Sequence, residues 1–450
     1  MGWEERLERF VISKVSRYRM PSLAIAVTGR DRTIYSRAFG FADVEKGVPA
    51  SPATIYGVGS ITKSFTALSI MRLAEEGRLS VEDPVSRHLP IDLKVRGVEV
   101  TIHHLLTHSS GVPAMAYAEA LIRGYIEATR DWLPLTDPRD VLVFMREADG
   151  WSVARPGERF YYLNEGYVLL GMIIESASGY AYPDYVRRHI LDPLGMESSF
   201  FIGERDDEAV ATPYVVDRDS RIIRSRAPKG ILADGGLMSS VLDLSRYLRM
   251  LINRGRLGDT RIVDESSIEE MEKPHIPVPW QLFGGEGYGY GLIVYPNFLG
   301  RKLVGHSGSL LVYTGFIGYV AEEGLGVAVL SNSTGYPTIN IGVYALSLAM
   351  GEDPEGLEVF KRERILESLE GSYRGFNGNI RFEVKRSGDF LILSYRDKYA
   401  SLETPLIPER LEEDYSSFYT LQYGRKMKAE FYRENGRIVL LYERYKLVKE

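Results

Sequence analysis

The most continuous apolar pattern in the chain runs over residues 61–76, where Phe65, Ala67, Leu68, Ile70, Met71, Leu73 and Ala74 cover nearly every face of a helix. Such a helix is expected to be buried, with Gly77 as its stop. Residues 3–16 instead carry a one-sided stripe of Leu7, Phe10, Val11 and Val15, which predicts an amphipathic helix. Two strands are expected at 22–28 and 33–39, forming a hairpin around Gly29. Further helices are expected at 166–177, stopped by Gly179, and at 338–350. Strands are expected at 302–305, 316–321 and 326–332. Strands therefore stand at both ends of this region with helices between, and its termini should meet in one sheet. Residues 114–150 read as a helical insertion, with helices at 119–129 and 138–147, forming a lid, one wall of a pocket or a surface elaboration.

Past Gly351 the pattern changes. A charged helix at 357–369 is followed by short alternating runs at 380–384, 390–395, 419–423, 428–432 and 438–445. Asn377-Gly378, Gly388 and Asn435-Gly436 mark turns between them, the pattern of an antiparallel meander or small barrel. The chain thus divides into a mixed α/β domain over 1–351, a linker helix over 352–369 and an all-β domain over 370–450.

Composition narrows the function classes. A net charge of −6 argues against a general nucleic-acid binder or an anionic-membrane binder. No apolar run reaches membrane-spanning length, and residues 1–20 are charged throughout, so a cytoplasmic protein is expected. Zero cysteines exclude a disulfide framework, a thiol nucleophile and thiolate metal ligands. Glutamine occurs only at 281 and 422 amid many Arg, Lys and Glu, a bias of heat-adapted proteins, so a thermostable chain is expected.

Candidate chemistry centres on Gly59-Ser60-Ile61-Thr62-Lys63. Ser60 stands at the start of the buried helix, where free N–H groups and the positive dipole end favour a developing anion. Lys63 lies three residues on, on the same helical face. Burial and the dipole both push its pKa down from about 10.4, as taking a proton from serine requires. Alone, Ser-x-x-Lys reads as a helix cap beside a surface lysine, and the decision rests on partners elsewhere in the chain. His104 and His108 are spaced to share a helical face, but they lack the glutamate of a His-Glu-x-x-His site and an obvious third ligand, so packed histidines or a cleft loop are expected and no metal. The glycines at 284–291 are followed by a strand rather than a helix, which excludes a dinucleotide loop. No cofactor is expected.

Three motifs then stand in order: Ser60-x-x-Lys63, Tyr162-x-Asn164 and His306-Ser307-Gly308. Together they resemble the serine β-lactamase and penicillin-binding superfamily, in particular its CubicO-type branch with class C β-lactamases, D-alanyl-D-alanine carboxypeptidases and D-aminopeptidases. The resemblance spans residues 3–350 and is supported by residues 104–111, 193–196 and 235–237. The tail is similar to the lipocalin-like barrels appended to some of these peptidases. The resemblance implies an antiparallel sheet flanked by helices with an all-helical subdomain, followed by the barrel. It also implies that Ser60 forms an acyl-enzyme and that Lys63 and Tyr162 share the base work, with either as the base and the lysine cation lowering the tyrosine's pKa. Asn164 would hold Lys63 and meet the substrate, and the amides of Ser60 and Ser309 beside Gly308 would form the oxyanion hole. His306 replaces the lysine of many relatives, supplying a donor to Tyr162 or to a substrate carboxylate, which weakens the case for β-lactams. The implied activity is a serine peptidase on short peptides, with D-residues among its substrates. The alternatives are an esterase or amidase, a β-lactamase, or a module that is acylated without turnover. A homo-oligomer enclosing its sites would protect the host from such a peptidase.

Overall fold

In the computed structural model, residues 2–128, 137–217, 219 and 221–450 are described. They form two compact units, Met1–Glu352 and Asp353–Glu450. No helix among the described residues is long and apolar enough to cross a membrane.

The first unit is built on a nine-stranded antiparallel sheet. Its first long strand, Ser22–Thr28, is buried along its whole length and pairs with both Thr33–Asp43 and the distant Leu325–Ser331, with Leu23 opposite Ser331. The expected meeting of the two ends of the region is therefore observed. Asn332 locks this closure, because its side-chain Oδ1 accepts from the Ser22 N–H at 2.9 Å. Thr314–Val320, Arg301–Ser309 and Ile293–Phe298 continue the sheet on the other side.

Strand alternation sends neighbouring residues to opposite faces. Gly326 lies under Leu248 of the helix Val241–Ile252, and Val327 faces Gly342 of the helix Thr338–Ala349, so one helix covers each face. The Val241 helix starts as its Ser240/Asp243 pattern predicts, with Ser240 Oγ accepting from the Asp243 N–H at 3.2 Å. The all-helical part holds Thr62–Glu75 against Asn164–Ser178. The insertion forms helices at Tyr117–Tyr125, Val141–Met145 and Ala148–Trp151. Thr129, the expected end of its first helix, lies outside the described residues.

His104 and His108 do not share a helical face. Their helix, Ile102–Leu106, ends before His108, which sits in left-handed backbone at φ 57°.

The second unit is a closed eight-stranded barrel in which Gly371–Arg374 pairs with both Arg381–Ser387 and Tyr445–Lys449. Its interior packs Phe382, Leu391, Leu406, Phe418 and Phe431. Ile365, Leu366 and Leu369 of the helix Glu358–Leu369 join the same core, so this helix belongs with the barrel rather than standing apart as a linker. Alternation alone misses the strands Gly371–Arg374 and Ser401–Leu411, and the run expected at 438–445 breaks at Glu443 into two strands.

Candidate active site

Ser60 lies in a short 3₁₀ turn, Gly59–Ile61, that feeds directly into the buried helix Thr62–Glu75. Thr62 ties this turn down: its Oγ1 donates to the Gly59 carbonyl at 2.7 Å and accepts from the Leu237 N–H at 3.1 Å. The turn presses on the end of the strand Arg301–Ser309 so closely that neither backbone tolerates a side chain there. Gly59 has φ +56°, and a Cβ on it would lie 2.6 Å from the Ser309 nitrogen. A Cβ on Gly308 would meet the Val58 carbonyl oxygen at 1.9 Å and the Ser60 nitrogen at 3.1 Å. The amides of Ser60 and Ser309 are thereby brought into one narrow junction.

Lys63 is completely buried. Its Nζ lies 3.2 Å from Ser60 Oγ, 2.8 Å from Asn164 Oδ1 and 2.5 Å from the Asp234 carbonyl oxygen. Two of these partners only accept, whereas the serine hydroxyl also donates. As an ammonium Lys63 donates to all three; once neutral, it can give its two N–H bonds to the carbonyls and its lone pair to the Ser60 O–H. The rings of Tyr162 and Tyr167 lie 5.0 and 5.4 Å from Nζ. Burial lowers the Lys63 pKa to about 8, against the opposing pull of Asp234, Glu119 and Glu165.

The expectation that Lys63 lowers the Tyr162 pKa is overturned. Burial of the phenol raises it well above 10, and a hydrogen bond from Ser60 offsets this only in part. Tyr162 is thus a neutral phenol beside the serine. His108 packs on it at 4.2 Å between ring centroids and accepts from the Leu163 N–H through Nδ1 at 3.0 Å, fixing the Tyr162-Leu163-Asn164 segment.

His306 also differs from expectation. Its Nδ1–H donates to the Ser307 carbonyl at 2.6 Å, and Nε2 accepts from the Tyr288 hydroxyl at 3.0 Å. Burial and the neighbouring Lys63 push its pKa down to about 3, so it is neutral and both nitrogens are engaged. It is therefore a neutral group bonded to Tyr288, not a cation for a carboxylate or a donor to Tyr162.

Ser60, Tyr162, Asn164, His306, Gly308 and Ser309 line one cavity of about 680 Å³. Its remaining wall is largely apolar, with Trp280, Leu282, Ile293, Leu310 and Leu311. Asp234, which no sequence motif singles out, lines it as well. The glycine pair that follows Asp234 was the available signal of a tight local fold: a Cβ on Gly236 would meet the Ile231 carbonyl oxygen at 2.1 Å.

The family model described as Beta-lactamase matches residues 7–346. The chain belongs to the beta-lactamase family. Within that family, an octameric penicillin-binding protein homologue from Pyrococcus abyssi is 51% identical, with a TM-score of 0.94 and 99% of each chain covered. Penicillin-binding protein 4* of Bacillus subtilis (strain 168) is 29% identical over 308 residues, 65% of this chain and 63% of that protein. The chain thus spans less than two thirds of the length of such curated relatives. A D-stereospecific amidohydrolase from Streptomyces shares the beta-lactamase fold, at TM-score 0.61 and 23% identity over 74% of this chain and 94% of its own. Residues 354–448 match a second model, the Pab87 octamerisation domain.

Proposed function

We propose that this protein is a serine hydrolase that forms an acyl-enzyme on Ser60 and cleaves short peptides, those containing D-residues among them. The observation that carries this reading is the buried Lys63 amine within hydrogen-bond reach of Ser60 Oγ, with its pKa near 8. A neutral Lys63 takes the serine proton as Oγ attacks the carbonyl carbon. The Ser60 and Ser309 amides stabilise the oxyanion, and Tyr162, as an un-ionised phenol, passes a proton to the leaving amine. Asn164 holds Lys63 in place through the 2.8 Å bond. The inclusion of D-residue peptides is suggested by the D-stereospecific amidohydrolase that shares the fold. The experiment is mass-spectrometric turnover of a mixed L- and D-peptide library by wild type and Ser60→Ala. Fragments that require Ser60 are expected; a library left untouched by folded wild type would refute peptidase action. The apolar cavity wall favours small esters or amides with apolar acyl groups as the second reading.

The protein is also proposed to work as a homo-oligomer assembled through its barrel, its active sites enclosed by the assembly. The match of residues 354–448 and the octameric Pyrococcus homologue support this. The barrel exposes Tyr423 by 98% and Leu421 by 67%, large apolar surface of the kind an interface covers. Light scattering should give a mass near that of eight chains, and Leu421→Glu with Tyr423→Glu should reduce it. A fully active wild-type monomer would refute the assembly.

A further inference from the structure

One buried carboxyl outside the Ser60 chemistry holds a loop that reaches the cavity. Ile276–Pro277 and Gly287–Tyr288 pair at the edge of the nine-stranded sheet, and residues 278–286 connect them. Glu286 closes this connection and is 1% exposed. Its Oε1 accepts from three successive main-chain amides, those of Leu282 at 2.8 Å, Phe283 at 2.5 Å and Gly284 at 3.0 Å. Converging N–H groups of this kind cradle an anion, and here the chain supplies the carboxyl itself. Gly284 and Gly285 turn the loop back at φ +91° and +80°. Asn297 Nδ2 then donates to the Gly284 carbonyl at 2.6 Å.

A surface hairpin does not require such a device, since water satisfies exposed amides. Burying the carboxyl costs stability, and Oε2 has no hydrogen-bond partner to offset that cost. The loop's other side explains its use. Trp280, Gln281 and Leu282 line the cavity that holds Ser60. Trp280 stands edge-on to Phe160 at 5.3 Å between ring centroids, and Phe160 packs on Tyr288, the partner of His306. Phe283 packs against Tyr295 and Phe298. Trp280 is itself 43% exposed, so its position depends on the loop that carries it.

We propose that Glu286 is a positioning residue for the substrate site, fixing the 280–285 loop so that Trp280 and Leu282 form a ready-made wall against an apolar group of the substrate. For turnover this rests on the acyl-enzyme reading above; for binding it does not. A loop free to sample conformations would have to be ordered by each substrate, at an entropic cost to affinity. A loop already held offers its apolar face without that cost. The cavity, about 680 Å³, has room for a phenyl group, so the wall acts by contact rather than by exclusion.

Hydrogen exchange read by mass spectrometry tests the clamp. The amides of residues 282–284 are expected to be protected in wild type and in Glu286→Gln, which keeps an acceptor oxygen, and to exchange freely in Glu286→Ala. Unprotected amides in wild type, or protection that survives Glu286→Ala, overturn the proposal. A loss of protection that spreads through the sheet also overturns it, marking Glu286 as a residue of the fold alone. The wall is tested by titrating Ser60→Ala calorimetrically with 3-phenylpropanamide and N-benzylacetamide, which carry the ring on either side of the amide. Adding Trp280→Ala or Glu286→Ala should weaken binding of at least one probe about 10-fold, and Glu286→Gln should not. With Ser60 intact, the same two alanine changes should raise KM for the corresponding ester, p-nitrophenyl 3-phenylpropanoate or benzyl acetate, more than they lower kcat. Binding of both probes that is indifferent to Trp280→Ala overturns the wall. Wall-dependent binding with ester cleavage that survives Ser60→Ala would instead refute the acyl-enzyme reading and leave the role of Glu286 standing.

Discussion

Lys63→Met should lower kcat/KM by about 10²–10⁴, the usual worth of a positioned general base, with the fold retained. Wild-type activity should also rise with pH through about 8 and level off above it. The sign follows from the chemistry: below that pH the group is an ammonium without a lone pair, and above it the amine is free to accept the Ser60 proton. The acidic limb should vanish in Lys63→Met, leaving a flat residual rate. The same profile separates the two candidate bases. Tyr162 is held well above its ordinary pKa by burial, so a tyrosine base would produce no limb near 8. A limb that survives in Lys63→Met would overturn the assignment.

Gly308→Ala is expected to lower kcat/KM by about 10² or more, because misplacement of roughly 1 Å at a reacting centre carries that effect. The added Cβ would overlap the Val58 carbonyl oxygen at 1.9 Å, and both partners are main chain, so no side-chain rotation relieves the clash. The serine turn must move away from the strand, separating the Ser60 and Ser309 amides. Overpacking of this kind also destabilises by about 1–3 kcal/mol. Stopped-assay kinetics beside urea melts would check both effects. Wild-type kinetics in a folded Gly308→Ala would show that these two amides are not the oxyanion donors.

How much of this was legible in the sequence varied with the range of the interaction. Ser60 and Lys63 are one helical turn apart, so their contact and the direction of the lysine's pKa follow from local geometry and burial. Tyr162, Asn164 and His306 were found by the order of motifs, but their ionisation was not. Tyr162 was expected to respond to the lysine charge, and burial outweighs it. The state of His306 depends on Tyr288, eighteen residues upstream on a different strand, a partner that spacing does not reveal. Asp234 carried no motif of its own. In the barrel, Ser401–Leu411 holds Pro405 and Pro408 and a register shift after Pro408, features that disguise a strand. The interior of its neighbour Phe390–Arg396, with Leu391 and Leu393 facing in, alternates plainly.

The pairing of Ser22–Thr28 with Leu325–Ser331 also sets an order of events during synthesis. Until Ser331 has left the ribosome, the first long strand has only its hairpin neighbour, and its other edge presents unpaired amides beside fully apolar side chains. The helical region carrying Ser60, Lys63 and Asn164 is made entirely within that interval. Ser60 therefore exists well before the strand that bears Ser309 can reach it. The nascent chain has its serine and lysine but not yet the Ser60–Ser309 junction, so under the proposed mechanism its hydrolytic power stays latent until the sheet closes.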